Sequence, residues 1–264
     1  MQKESNSIKF VDVKSLLEFV PYKWEKDITI FVSCYNEEGN IINTINTITS
    51  VLFETKFSWE IIVIDDASVD KSRELIYAYI KGHPDCDIKL MVRERNVGLA
   101  QNYIEGAFMA RGRYYKLVCG DNAEQKQSLA KILSFLGKAD MIIPYFVKVE
   151  GKSFMRCMFS KIYTFMTNII SGYRIKYYNG CALHLTFNIM RWHTDHLGFS
   201  FQADVITRLL DQGMSYMEIS ATAQERKTGA STALKLINFL SVSHFFFELL
   251  LRRFGRMYRN KKFK

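Results

Sequence analysis

The stretch IIVIDDASVD, residues 61–70, governs how the rest of the chain is read. Ile61, Ile62, Val63 and Ile64 form an unbroken β-branched run, the pattern of a strand buried on both faces of a parallel sheet. Asp65 and Asp66 follow at the carboxyl end of that strand, the edge where open α/β sheets bind their ligands. Ser68 or Asp70 is placed to cap a helix carrying Leu75, Ile76, Tyr79 and Ile80. The unit is strand, acidic turn, helix.

The same unit recurs on either side. ITIFVSCYNEEGN (28–40) reads as a strand and a polar loop, followed by a helix over about 40–53, so strand, helix and strand imply a right-handed parallel crossover. Asp87 to Arg93 predicts a third strand, and the next helix puts Leu99, Tyr103, Gly106, Ala107 and Ala110 on one face. The small residues at its centre allow close approach to the sheet. Tyr114 to Cys119 is a fourth strand, with Gly120, Asp121 and Asn122 at its carboxyl end; a helix over about 127–136 and a strand over Asp140–Phe146 follow. This alternation predicts an α/β fold with a mostly parallel sheet.

After residue 150 the rhythm is less regular. Residues 153–170 have an amphipathic pattern, with Phe154, Met158, Ile162, Phe165, Met166 and Ile169 on one side. That side is read as buried core, with a lipid groove as the lesser reading. Tyr177 to His184 predicts extended chain turning at Asn179 and Gly180, Phe199 to Leu210 a helix, and Tyr216 to Ile219 a strand. His193 and His196 lie three apart, but no further Cys or His completes a familiar zinc spacing, so they read as loop histidines.

Composition sets the outer limits. The 264 residues are 48% hydrophobic, which suits one globular domain, 27–236, with an N-terminal extension, 1–26, and an apolar-basic C-terminal helix and tail, 237–264. The five cysteines form no CxxC pair, which argues against zinc and disulfides and for a reducing compartment. MQKESNSIKF lacks a secretory apolar core, and Leu234 to Leu251 is too interrupted by Lys235, Asn238, His244 and Glu248 to read as a membrane span. A net charge of +9 admits nucleic acid, membrane or small anions, but seven of the last thirteen residues are Arg or Lys, and such clustering disfavours nucleic acid. The tail leaves two readings open: an interfacial anchor with cations facing anionic lipid, or a helix docked on the domain.

Carboxylates at three strand ends, Glu37, Asp65 with Asp66, and Asp121, together mark a site that could bind ribose hydroxyls, a base or a divalent cation. With VSCYNEE (32–38), IIVIDDASVD (61–70), RNVGLAQN (95–102), GDN (120–122), GFSFQAD (198–204) and ERKTGASTALKL (225–236), the chain resembles the family 2 glycosyltransferases. These have the GT-A fold, and the resemblance is strongest to the dolichyl-phosphate and polyprenyl-phosphate sugar transferase branch. The six segments occur in the family's order.

The resemblance implies nucleotide-sugar contacts at Tyr35, Asn36, Glu37, Asp66, Arg95, Asn96 and Gly98, with Asp65 counted beside Asp66. It implies that Asp121 is the metal-holding carboxylate of a DxD motif, with Cys119 standing where the first acid belongs. Arg226, Gly229 and Ser231 resemble a phosphate loop, Gln202 an acceptor contact, and Asp204 a general base or an acceptor-orienting residue. The implied reaction is metal-dependent, inverting transfer of a sugar from a nucleotide-diphosphate donor, assisted by Mg²⁺ or Mn²⁺ as a Lewis acid on the leaving diphosphate. The acceptor would be a polyprenyl phosphate, another lipid-linked sugar or a glycan in surface polysaccharide or lipid-linked sugar synthesis. The expected location is the cytoplasm, with peripheral attachment to the inner face of the plasma membrane under the anchor reading. Cys119 keeps an alternative in view, a catalytically reduced nucleotide-sugar-binding scaffold.

Overall fold

The computed structural model describes residues 24–150, 154–192, 198, 200–224 and 236–262. The N-terminal extension up to residue 23, His193 and His196, and the loop holding Arg226, Gly229 and Ser231 lie outside the described residues.

In chain order the elements are β1 (Lys26–Cys34), α1 (Ile41–Leu52), β2 (Trp59–Asp65), α2 (Ser72–Gly82), β3 (Ile88–Val92), α3 (Leu99–Met109), β4 (Gly112–Cys119) and α4 (Lys126–Leu133). They continue with β5 (Met141–Glu150), α5 (Phe154–Ser171), β6 (Leu183–Leu185), α6 (Thr186–Met190), α7 (Phe201–Asp211), β7 (Tyr216–Gln224) and α8 (Leu236–Lys262). The strands form one sheet in the order β3-β2-β1-β4-β6-β5-β7, and β6 runs antiparallel to both of its neighbours while the other pairs are parallel. The carboxyl ends of β1, β2 and β4 therefore share one edge.

Strand alternation explains why the β2 run is apolar throughout. Ile61 and Val63 join the core under α1, α2 and α4, whereas Ile62 and Ile64 join the opposite core with Phe31, Tyr103 and Tyr115. On that second face α3 approaches closely, since a Cβ added at Gly106 would lie 2.3 Å from the Tyr115 hydroxyl. The sheet is also tied by a buried carboxylate. Glu60 on β2 accepts from Thr29 Oγ1 at 2.7 Å, from the Arg111 backbone N–H at 2.6 Å and from Lys89 Nζ at 3.1 Å.

One expectation is revised and one open choice is decided. Most of the α5 stripe is not core: Ile162, Phe165, Met166 and Ile169 are exposed and Met158 is half-buried, while the Phe154 side chain lies outside the described ones. The 3.6-residue pattern marks an apolar stripe but not which way it faces. Of the two readings left open for the tail, the structure takes the docked helix for Arg252, Arg253 and Arg256, which face the domain. Arg252 pairs with Asp204 at 3.1 Å, Arg253 donates to the Ile170 carbonyl at 3.0 Å, and Arg256 donates to the Ser171 carbonyl at 2.6 Å. Together with buried Phe245 and Leu249, these bonds dock α8 on α5 and α7.

Candidate active site

The loops that follow β1, β2 and β4 enclose a cleft of about 730 Å³ at the carboxyl edge of the sheet. Each of these loops holds one residue in the left-handed region, Asn36 (φ 55°), Ala67 (φ 64°) and Asn122 (φ 53°). Among the described residues no other non-glycine has a positive φ. Such backbone is costly for residues with a Cβ and persists where surrounding bonds enforce it. Here those bonds run from loop to loop. The Asn36 N–H donates to Ser68 Oγ and the Glu37 N–H to Ser72 Oγ, each at 2.9 Å, while the Val69 N–H donates to Asn36 Oδ1 at 2.9 Å. Asp70 accepts from the backbone of Glu38 and of Ser72 at 3.0 Å. Burial alone would raise the Asp70 carboxyl, but the Ser72 side chain and these N–H groups outweigh it and hold the group below the usual range.

Asp66 organises the third wall. Its two oxygens accept from the Val97 and Gly98 N–H groups at 2.9 Å each, drawing the 93–98 loop over the cleft. Gly98 permits the path because its φ is +90°. A carboxylate offers about four acceptor sites, so Asp66 keeps capacity for a ligand N–H.

At the end of β4, Gly120 comes so close to β1 that an added Cβ would lie 2.6 Å from the Ser33 carbonyl. That approach delivers Asp121 to the cleft. Asp121 Oδ1 accepts from the Ala123 N–H at 3.2 Å. Cys119 shares a hydrogen bond with Cys181; this bond, with burial, pushes its thiol well up, so it stands as a neutral group where a DxD motif has a carboxylate. Behind the loop, fully buried Lys116 donates to Glu124 at 2.9 Å and to the Cys181 carbonyl at 3.0 Å. Burial pushes the Glu124 carboxyl up, and Lys116 offsets part of that rise.

Of the residues singled out in the sequence, Tyr35, Asn36, Glu37, Asp66, Asn96, Gly98 and Asp121 line this cleft. Asp65 does not. It is wholly buried and faces Arg73, whose Nη2 lies 3.3 Å away, because alternation along β2 sends it away from Asp66. Arg95 is exposed outside the lining. Gln202 and Asp204 are buried in α7 and also lie outside the lining. Asp204 accepts from Trp192 Nε1 at 2.9 Å and Arg208 Nε at 2.9 Å, besides its ion pair with Arg252. Its oxygens are thus engaged by the packing of α7 and α8.

The sequence reading missed Glu38, Asp70 and Asn102 as cleft residues. Asp70 closes IIVIDDASVD and Asn102 closes RNVGLAQN, one turn inside α3, so both segments held a signal, but the sequence reading makes Asp70 a helix cap and gives Asn102 no role. Lys116 did carry a signal: a lysine amid YYKLVC can be buried only with a partner.

As for a divalent cation, no cluster of three or more His, Cys, Asp or Glu side chains that could hold one is found among the described residues. The cleft nevertheless suits Mg²⁺ or Mn²⁺ brought with a diphosphate, since such ions are commonly held by one or two carboxylates plus phosphate oxygens and water. Five carboxylates, Glu37, Glu38, Asp66, Asp70 and Asp121, line the cleft.

A family model described as Glycosyl transferase family 2 matches residues 29–191, more than half of the chain. Over 118 residues the chain is 28% identical to a dolichyl-phosphate beta-glucosyltransferase of Dictyostelium discoideum, covering 43% of this chain and 36% of that protein. Over 222 residues it is 23% identical to an undecaprenyl-phosphate 4-deoxy-4-formamido-L-arabinose transferase of Pectobacterium atrosepticum, covering 81% and 65%. In both cases the match spans less than two thirds of the relative's own length. Among solved structures, glucosyl-3-phosphoglycerate synthase from Mycobacterium tuberculosis, in complex with Mn²⁺, uridine diphosphate and glucosyl-3-phosphoglycerate, aligns with a TM-score of 0.63 at 14% identity. That alignment covers 88% of this chain and 81% of that one, and it establishes a shared GT-A fold.

Proposed function

Because this chain belongs to glycosyl transferase family 2, we propose that it moves a sugar from a nucleoside-diphosphate donor, bound in the cleft, to a polyprenyl-phosphate or other lipid-linked acceptor. The observation that carries this reading is the convergence of Tyr35, Asn36, Glu37, Asp66, Asn96, Gly98 and Asp121 on one cleft at the carboxyl edge of the sheet. In this reading residues 27–236 form the transferase domain. The base and ribose lie between the Tyr35–Glu37 loop and the 93–98 loop, where Asp66 and Asn96 accept or donate hydrogen bonds. Asp121 holds Mg²⁺ or Mn²⁺, which when bound supplies Lewis-acid stabilisation of the departing diphosphate. Mn²⁺ and uridine diphosphate in the solved relative support that assignment by analogy of fold.

Direct displacement with inversion is the favoured course, since it is what the family resemblance implies and it needs no covalent intermediate on the enzyme. Asp204 is assigned a positioning role: wholly buried and bonded to Trp192, Arg208 and Arg252, it offers no oxygen to an acceptor hydroxyl. A phosphate acceptor needs no general base, which agrees with that placement. Arg226, Gly229 and Ser231 remain proposed as the phosphate loop on the strength of their motif. The neutral Cys119 thiol favours the second reading, a nucleotide-sugar-binding scaffold with reduced turnover.

Thermal stabilisation by UDP-, GDP-, CDP- and dTDP-sugars, with and without Mn²⁺, tests the proposal through mass action on the native state. A metal-dependent rise with one donor, lost in Asp66→Ala and Asp121→Ala, is expected. No rise with any donor, from folded protein, would remove it. A rise without sugar transfer to polyprenyl phosphate or glycan acceptors would select the scaffold.

A further inference from the structure

Two cysteines meet at the wall of the cleft, and the proposed transfer uses neither. β4 and β6 pair antiparallel over Tyr114–Lys116 and Leu183–Leu185, so Cys119, beyond the ladder on one strand, and Cys181, before it on the other, lie at the same end. They also share a face of the sheet. Alternation along β4 puts Cys119 on the side of Tyr115 and Leu117, and Cys181 packs against that same core. The two side chains are hydrogen-bonded to each other. Both cysteines are free and half-buried; Cys119 lines the cleft, and Cys181 stands behind it, outside the lining. The buried Lys116 ammonium donates to the Cys181 carbonyl at 3.0 Å, which sets a cation beside the pair. Cys34 also borders the cleft, but it belongs to the core on the opposite face of the sheet.

We propose that Cys119 and Cys181 form a modification site, a dithiol that a small hydroperoxide oxidises to a disulfide, and that this disulfide weakens donor binding in the cleft. The bond chemistry takes two steps. The Cys181 sulfur bonds to one peroxide oxygen as the O–O bond breaks, and its proton leaves with the other oxygen, giving a sulfenic acid and water or an alcohol. The Cys119 sulfur then attacks the sulfenic sulfur: the S–S bond forms, the S–O bond breaks, and the Cys119 proton leaves in a water molecule. Two thiols lose two electrons and one peroxide gains them. Lys116 suits Cys181 to the first step, because a neighbouring cation makes a thiol the better nucleophile. In a reducing compartment such a bond is transient and redox-sensing rather than structural. Its effect reaches the cleft through the next residue. A disulfide holds its sulfurs at about 2.0 Å, closer than hydrogen-bonded thiols, so Cys119 is drawn toward Cys181. Gly120 ties this strand end to the other walls, its N–H donating to the Ser33 carbonyl and its carbonyl accepting from Thr44 Oγ1, each at 2.8 Å. A pull on Cys119 is therefore carried to β1, α1 and Asp121. That consequence, unlike the bond itself, rests on the donor cleft proposed above.

Graded hydrogen peroxide added to the reduced full chain, followed by alkylation of the remaining thiols and peptide mass spectrometry, tests the site. The expected product is a cross-linked pair of peptides holding Cys119 and Cys181, lighter than the reduced pair by two hydrogens and opened by dithiothreitol. It should form before Cys86 or Cys157 reacts. Oxidised wild type should lose the Mn²⁺-dependent thermal stabilisation by the matching nucleotide sugar, and dithiothreitol should restore it. Cys181→Ser, outside the cleft lining, should keep that stabilisation through the same treatment, and its unchanged melting temperature before treatment confirms folding. Both thiols still open to alkylation after Cys86 or Cys157 has reacted, or Cys119 joined to a different cysteine, overturns the modification site. A cross-link that leaves donor stabilisation intact, or its loss in Cys181→Ser as well, overturns the effect of the disulfide on the cleft. If the reduced protein is stabilised by no donor, the transfer reading fails, while mass alone still decides the disulfide.

Discussion

Asp121 and Cys119 stand two residues apart at the end of β4, yet only one of them bears charge toward the cleft. If Asp121 holds the cation with the donor's diphosphate, Asp121→Asn keeps the side chain's shape and its bond from the Ala123 N–H while losing the charge. Turnover should fall by roughly 10²-fold or more, the order seen when a group stabilising developing charge is removed. The Mn²⁺-dependent part of donor-induced stabilisation should vanish as the melting temperature without ligand stays put; retention of that part would move the metal elsewhere. Asp66 makes a different prediction, since its oxygens also hold the Val97 and Gly98 N–H groups. Asp66→Asn replaces one acceptor oxygen by a donor and should loosen the 93–98 loop, raising donor KM more than it lowers kcat. Equal effects on both would point instead to a role in the transition state.

At the scale of elements, two buried carboxylates hold the molecule together in different places. Glu60 links β2 to Arg111 and Lys89, and although burial alone would raise it, bonds from the Arg111 backbone, Thr29 and the two cations hold its carboxyl below the usual range. A carboxyl depressed in the folded state contributes stability that is present above its unfolded pKa and lost as pH falls through the folded value. Denaturant titrations should therefore show stability declining below about pH 5, with a shallower decline in Glu60→Gln, which starts about 2 kcal/mol less stable at neutral pH. An unaltered acid slope would remove Glu60 from that account. Asp204 joins α7 to α8 through Arg208 and Arg252, and Asp204→Ala removes the carboxylate they share with Trp192, leaving Arg208 to Glu248 and Arg252 to Asp211 and Thr207. A loss of about 2–3 kcal/mol is expected; loss of activity at unchanged stability would instead restore Asp204 to the chemistry. These elements also show what the sequence could carry. Strands β1 to β4 were legible because Ile61–Ile64 and its counterparts fill both cores, a pattern local to each strand. The direction of the α5 stripe was not, because Phe159 and Ile162 look the same whether a neighbouring element covers them or not. The partners of Asp204 come from Trp192 and from Arg252, 48 positions further along the chain, and no local pattern announces them.

Over the whole molecule, the cleft and the outward apolar helices rest on different parts of one sheet. The cleft is formed at the carboxyl ends of β1, β2 and β4, where the loops are bonded to one another, whereas α5 and α8 pack beside α7 over the half containing β5, β6 and β7. The halves meet through a short antiparallel pairing, Tyr114 to Lys116 against Leu183 to Leu185, and through the aromatic contacts of Tyr103 with Phe201 and Phe201 with Trp192. A packed core of this kind resists small local changes, so ordering one surface need not disturb the other. Hydrogen exchange should then resolve one footprint. The matching nucleoside diphosphate with Mn²⁺ should slow exchange in residues 35–40, 66–72, 95–99 and 119–124 and leave α5 and α8 unchanged. If the nucleotide also slows exchange in α8, the outer helices and the donor cleft are coupled through the Tyr103–Phe201–Trp192 contacts. Phe201→Leu, which removes the aromatic bridge between them, should then uncouple the two while leaving the cleft footprint in place.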